Sequence, residues 1–171
     1  PGCSVLLKMR QKDSRDAFVY EAHKKINPLT CLESKLHYEI RTDPKHDYGL
    51  YLDTKAARSF LQSICKGKTV LNLFAYTCPF GIAAMSAGAE VVTNIDPNKD
   101  YLSWAAKNAE LNNVIFKKYP DTTQDYLKKH LRCLEGGKDK AYDLIVVDPP
   151  AFLVGRGSER VARNLWPLWM S

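Results

Sequence analysis

The chain has 171 residues, 45% hydrophobic and 26% charged, which is the balance of a folded globular protein and enough length for one domain with an appendage. A net charge of +6 suits a polyanionic partner such as RNA, or equally a mildly basic enzyme with solvated lysines. The five cysteines (Cys3, Cys31, Cys65, Cys78, Cys133) form no Cys-x-x-Cys pair, no histidines cluster at zinc-ligand spacing, and no apolar run approaches the ~20 residues of a bilayer span, so a metal centre, a disulfide scaffold and a membrane anchor are disfavoured. An odd cysteine count without a signal-peptide pattern points to reduced thiols and a cytoplasmic location.

In chain order, Ser4 to Met9, Ala17 to His23 and Leu36 to Thr42 are strand-like and separated by polar stretches, so residues 1–48 read as a small antiparallel β region. Residues 49–171 read as a second unit. A helix runs from about Thr54 to Ile64 and stops at Lys66-Gly67-Lys68. Strands follow at Thr69 to Phe74, Glu90 to Ile95, Val114 to Tyr119 and Asp143 to Val147. Helices lie between them at Phe80 to Ala87, Lys99 to Leu111 and Asp125 to Leu134, the last with a Thr122–Asp125 capping box. Strand and helix alternating at these lengths predict an α/β fold with a parallel sheet flanked by helices.

Open parallel sheets bind ligands beyond the carboxyl ends of their strands, so four loops matter. The first, Ala75-Tyr76-Thr77-Cys78-Pro79-Phe80-Gly81, follows Phe74 and leads into a helix N-terminus. Its backbone donors suit an anionic or carboxylate-bearing ligand, and Asn72 within the strand can position it. It lacks the Gly-x-Gly-x-x-Gly pattern, which disfavours a pyrophosphate cofactor. The second places Asp96 directly after a strand, where it can take both hydroxyls of a ribose or cap the next helix. The third offers Asp121, or its competitor Asp125, as acceptor for an adenine amino group. The fourth, Asp148-Pro149-Pro150-Ala151-Phe152, is stiff: its prolines fix φ and remove two donors while leaving carbonyls free. Asp148 and a proline carbonyl can hold the edge of a base on which Phe152 stacks. The plainer alternative is a rigid turn with a buried Phe.

These motifs carry a resemblance. Lys66-Gly-Lys-Thr-Val-Leu-Asn-Leu-Phe-Ala-Tyr-Thr77 resembles the first motif of S-adenosylmethionine-dependent methyltransferases acting on bacterial large-subunit ribosomal RNA. Gly49-Leu-Tyr-Leu-Asp-Thr-Lys-Ala-Ala-Arg58 is similar to the segment preceding that motif, and Tyr101-Leu-Ser-Trp-Ala-Ala-Lys-Asn-Ala-Glu-Leu-Asn112 to the helix after the ribose-binding acid. Asp148-Pro-Pro-Ala-Phe152 resembles the family's Asp-Pro-Pro-x-Phe catalytic motif. The resemblance implies a Rossmann-like domain. Asn72, Phe74, Tyr76 and Thr77 would lie by the methionine part of S-adenosylmethionine, Asp96 on its ribose and Asp121 near its adenine, with Asp53 completing the pocket. Asp148, Pro149, Pro150 and Phe152 would present the target base, with no metal involved.

Two departures are visible. Many relatives have Gly after the Tyr-Thr pair, where this chain has Cys78-Pro79. The family's sheet has seven strands, and this chain stops nineteen residues after Phe152, so the expectation is a C-terminally truncated domain. The terminal stretch from Gly155, with Trp166 and Trp169, reads as a basic loop and short helix. The expected function is methyl transfer to a base of RNA, in rRNA processing. The alternatives are a non-catalytic cofactor binder or assembly factor, and a methyltransferase for a small molecule or protein.

Overall fold

The computed structural model describes the backbone of residues 5–10 and 17–22, and residues 29–41 and 47–149 in full. Two antiparallel hairpins come first: β1 (Val5–Arg10) with β2 (Ala17–Ala22), and β3 (Leu29–Glu33) with β4 (Leu36–Ile40). Strand β3 is not anticipated by the sequence. Its turn is Ser34-Lys35, with φ of 50° and 69°, a two-residue reversal normally announced by Asn-Gly or Asp-Gly.

From α1 (Lys55–Ile64) onward, strand and helix alternate as expected: β5 (Thr69–Leu73), α2 (Pro79–Ser86), β6 (Val91–Ile95), α3 (Lys99–Leu111), β7 (Lys117–Tyr119), α4 (Thr123–Glu135) and β8 (Leu144–Val147). The four strands form a parallel sheet in the order β7-β6-β5-β8. Strand β7 is shorter than its apolar run suggests. The N–H of Val114 returns to Ala109 O at 3.1 Å while Asn113 turns left-handed at φ 53°, so these residues close helix α3 instead of extending the strand.

Alternate β5 and β6 residues face opposite layers. Val70 and Val92 pack with Leu61 and Cys65 around α1, and with Phe80 and Ala84 of α2. Leu71, Leu73 and Ile95 meet Tyr126 and Leu127 of α4. Helix α2 is apolar all round and buried from Pro79 to Ala84, wedged between the sheet and the β3–β4 hairpin, whose Leu36 and Tyr38 meet Ile82 and Ala83.

Helix α3 fastens that hairpin by its backbone. Trp104, Asn108 and Asn112 are spaced by four and share one helix face. Trp104 Nε1 donates to Glu39 O (3.1 Å), Asn108 Oδ1 accepts from Glu39 N (2.8 Å), and Asn112 exchanges two bonds with the His37 backbone (2.8 and 2.6 Å). Three side chains thus do for β4 what a neighbouring strand would do.

Candidate functional site

The strand order reverses between β5 and β8, and parallel sheets bind ligands beyond the strand ends at such a switch point. Leu73 pairs with both Ile95 and Val147, so the residues following β5, β6 and β8 emerge side by side. Phe74, Asp96 and Asp148 are those residues.

The loop after β5 is strained and held from several directions. Phe74, Tyr76 and Cys78 all adopt positive φ (55°, 53° and 61°), a conformation that costs a non-glycine residue about 1–3 kcal/mol. Ala75 N donates to Ile95 O (2.9 Å) and Tyr76 N to Asp96 Oδ2 (2.8 Å). Gly49, just before α1, clasps the loop from the other side: its N–H donates to Tyr76 Oη (3.0 Å) and its carbonyl accepts from Thr77 Oγ1 (2.6 Å). Gly49 sits at φ 96°, where a Cβ would lie 2.2 Å from Trp104 Cζ2, so only glycine brings the chain this close. The Tyr76 ring packs edge-on to Tyr101 (4.6 Å between centroids) and beside Tyr51 (5.4 Å), and burial pushes its hydroxyl pKa up. Thr77 is fully buried, so its hydroxyl is spent on the clasp.

Asn72 lies under this loop, on the α2 face. Its amide donates to Asn94 Oδ1 (2.8 Å) and Asn94 in turn to Lys117 O (3.2 Å), tying three strands together. Gly81 lets α2 press onto this pair, since a Cβ there would stand 2.3 Å from Asn94 Oδ1. Asn72 Oδ1 is buried and finds no hydrogen-bond partner among the described residues.

Asp96 is nearly buried and preset. Each carboxylate oxygen accepts one backbone N–H, Oδ2 from Tyr76 and Oδ1 from Asn98 (2.9 Å), which leaves each with a free lone pair. Burial raises its pKa, and those two bonds oppose the rise. The neighbouring cap belongs to Asn98, whose side chain accepts from Asp100 N and Tyr101 N. Asp96 N donates to Tyr119 O, which brings the loop carrying Asp121 alongside. Asp121 is half-buried and paired with Lys129 (2.6 Å), whereas Asp125 is turned into the α4 cap by Thr122 Oγ1 (2.8 Å).

Asp148 stands at the open end of β8. Partial burial raises its pKa, the Asp53 carboxylate raises it further and the Arg58 guanidinium opposes both, so all three lie within electrostatic reach. Asp53 itself is exposed, on the turn entering α1. Pro149 is exposed beside Asp148, while Pro150 and Phe152 lie outside the described residues, as do Trp166 and Trp169. Arg58 is not flagged by the sequence as a site residue. Its signal is register: Arg58, Leu61 and Cys65 fall at i, i+3 and i+7, so a charged residue occupies the inward stripe of α1.

Cys78 is fully buried. Burial, then the Asp96 charge, hold its thiol well above the ordinary range, so it remains protonated and is no nucleophile. No group of three or more potential metal ligands occurs among the described residues, and no helix there is long and apolar enough to cross a membrane.

Residues 2–165 match the family model for S-adenosylmethionine-dependent methyltransferases. Ribosomal RNA large subunit methyltransferase K/L of Shewanella loihica is 37% identical over 124 residues, covering 72% of this chain and 17% of that protein. Ribosomal RNA large subunit methyltransferase I of Pseudoalteromonas translucida is 36% identical over 125 residues, covering 73% of this chain and 31% of that one. The chain therefore spans less than a third of either relative. Among solved structures, a protein from Streptococcus mutans described as a SAM-dependent methyltransferase superposes with a TM-score of 0.73 at 26% identity, covering 88% of this chain and 41% of that one.

Proposed function

Because this chain belongs to the S-adenosylmethionine-dependent methyltransferase family, we propose that the switch point beyond β5 and β6 binds S-adenosylmethionine and that Asp148 presents to it a base of large-subunit ribosomal RNA. The observation that carries this reading is the convergence of a preset, nearly buried Asp96 and a charge-flanked Asp148 on one switch point.

The residues fit the cofactor. Asp96 keeps an acceptor position on each oxygen, which suits the two hydroxyls of a ribose. Asn72 Oδ1, beneath the first loop, is a buried acceptor with no partner among the described residues. Phe74 and Tyr76 supply the wall of the region where the methionine part would lie, and Thr77 contributes by locking the loop to Gly49. Asp121 is the better placed acceptor for the adenine amino group: Asp96 N donates to Tyr119 O just before it, its partner Lys129 is an exposed side chain, and Asp125 sits in the α4 cap. Asp53 closes the pocket from the turn before α1.

Bound S-adenosylmethionine supplies an electrophilic methyl group on a sulfonium centre. The protein's part is alignment and water exclusion rather than strong acid or base catalysis. Asp148 accepts a hydrogen bond from the base and fixes its edge, and the Pro149 carbonyl offers a second acceptor. Pro150 and Phe152, outside the described residues, would stiffen the loop and stack on the base. A carboxylate at Asp148 would also stabilise any positive charge that develops on the base during transfer.

RNA as acceptor rests on the named activity of the ribosomal RNA methyltransferase relatives, and the net charge of +6 agrees with it. The free thiols among Cys31, Cys65, Cys78 and Cys133 accord with a cytoplasmic setting. The test incubates the chain with methyl-labelled cofactor and deproteinised ribosomal RNA, protein extract or small metabolites in parallel. Nuclease-sensitive label in the RNA sample alone, lost in Asp148→Ala, is expected. Label only in the protein or metabolite samples would contradict RNA as the substrate class, and none in any sample would contradict methyl transfer by this chain.

A further inference from the structure

We propose that Arg58, locked onto Glu33, is a positioning residue that holds the Tyr51–Thr54 turn, and with it Tyr51 and Asp53, beside Asp148. The role rests on the reading of Asp148 given above.

The geometry is that of a clamp. Arg58 Nε and Nη2 grip the two oxygens of Glu33 at 2.7 and 2.8 Å, with the side chains 1% and 8% exposed. The bidentate grip leaves the rest of the guanidinium aimed at the turn. Nη2 also donates to Tyr51 O (3.0 Å) and Nη1 to Thr54 Oγ1 (2.5 Å), while Thr54 Oγ1 donates back to Tyr51 O (3.0 Å). The turn is thus fastened at both ends to one buried cation, and Asp53 lies between the two fastened residues.

One end of that turn packs on the site and its middle acts on Asp148 through charge. Tyr51 sets its ring beside Tyr76, and its hydroxyl donates to Asp47 (2.8 Å). Asp53 and Arg58 are the charged groups acting on Asp148 among the described residues, with opposite signs. A buried ion pair is a poor device for stability alone, because a well-packed apolar pair often replaces it without loss. An apolar pair, however, cannot bond Tyr51 O or Thr54 Oγ1. Glu33 also comes from β3, so the clamp joins the hairpin to the turn beside the proposed acceptor site.

The test compares wild type with the double variant Arg58→Met/Glu33→Leu, which leaves no stranded buried charge, with Arg58→Lys and with Thr54→Val. Measured are the thermal midpoint, hydrogen exchange over residues 51–55, and the pH profile of methyl transfer. The double variant is expected to keep its midpoint within a few degrees, exchange faster over 51–55, lose ~10- to 100-fold in transfer rate, and show its acid limb at higher pH. Arg58→Lys keeps the charge and is expected to hold the limb near the wild-type position while losing rate. Thr54→Val removes one fastening without touching the ion pair and is expected to lose rate several-fold; it decides the matter should the double variant not fold. Wild-type rate and acid limb in a folded double variant, or in Thr54→Val, would overturn the clamp while Asp148→Ala remains inactive. A wild type that transfers nothing overturns the underlying reading instead, and unchanged exchange over 51–55 then overturns the clamp separately.

Discussion

The backbone N–H of Tyr76 donates to Asp96 Oδ2 at 2.8 Å, joining the loop after β5 to the acid that ends β6. One carboxylate therefore shapes the loop and presents acceptors to a ligand. Asp96→Ala removes both functions. Hydrogen bonds to charged groups contribute about 1.5–3 kcal/mol, so S-adenosylmethionine should bind ~10- to 100-fold more weakly. Isothermal calorimetry measures this directly, and equal affinities would remove Asp96 from the site.

Gly49 is expected to be irreplaceable for steric reasons. Gly49→Ala meets Trp104 at 2.2 Å and strains a φ of 96°, whereas Gly67→Ala, at φ 69°, finds nothing within 4 Å. Overpacking and left-handed strain together predict a loss of about 2–5 kcal/mol at Gly49 and about 1–2 kcal/mol at Gly67. Urea denaturation of the two variants checks the difference. Equal losses would mean that the close approach to Trp104 is immaterial.

Asn108 links hairpin and loop, accepting from Glu39 N and donating to Thr77 O at 3.3 Å. Asn108→Ala leaves both backbone groups without their partner in a buried setting, at a cost of about 1–3 kcal/mol each. Thermal unfolding should show the loss, and cofactor affinity should fall with it because Thr77 loses support. A variant as stable as wild type would contradict the fastening described for α3.

Asp148 gives the pH dependence its sign. Burial and then the Asp53 carboxylate raise its pKa above the ordinary carboxylate value, so its neutral form is favoured in the folded state. Any stability gained by that neutral form is present below the unfolded pKa and lost as pH rises through the raised one. Transfer, which needs the carboxylate, should conversely fall as pH drops through the raised value. Asp53→Asn deletes one raising charge, so the acid limb of the rate profile should move to lower pH. A limb that stays in place would dissociate Asp53 from Asp148.

The parallel sheet and its helices were legible because the apolar runs at Thr69, Val91 and Leu144 are short, rich in β-branched residues and separated by helical lengths. Asp96 was legible by position, at the end of the second parallel strand, and the structure finds it nearly buried there with two backbone bonds. Strand β3 was not legible, because Ser34-Lys35 carries neither the Asn-Gly nor the Asp-Gly signal of a two-residue hairpin. Arg58 stayed hidden for a different reason. An arginine in a helix reads as a solvated charge unless its partner is known, and Glu33 lies 25 residues away in the unanticipated strand. The Gly49 clasp was equally non-local: Tyr76 and Thr77 signal a loop, but their hydroxyl partners lie 27 and 28 residues upstream.

The most direct test is the single-turnover rate of methyl transfer to ribosomal RNA at saturating S-adenosylmethionine, wild type against Asp148→Ala. Loss of a preorganised group at the reacting centre predicts a rate lower by ~100-fold or more, with calorimetric affinity for the cofactor unchanged. Equal rates, or a loss that follows weakened cofactor binding alone, would contradict the placement of the acceptor base at Asp148.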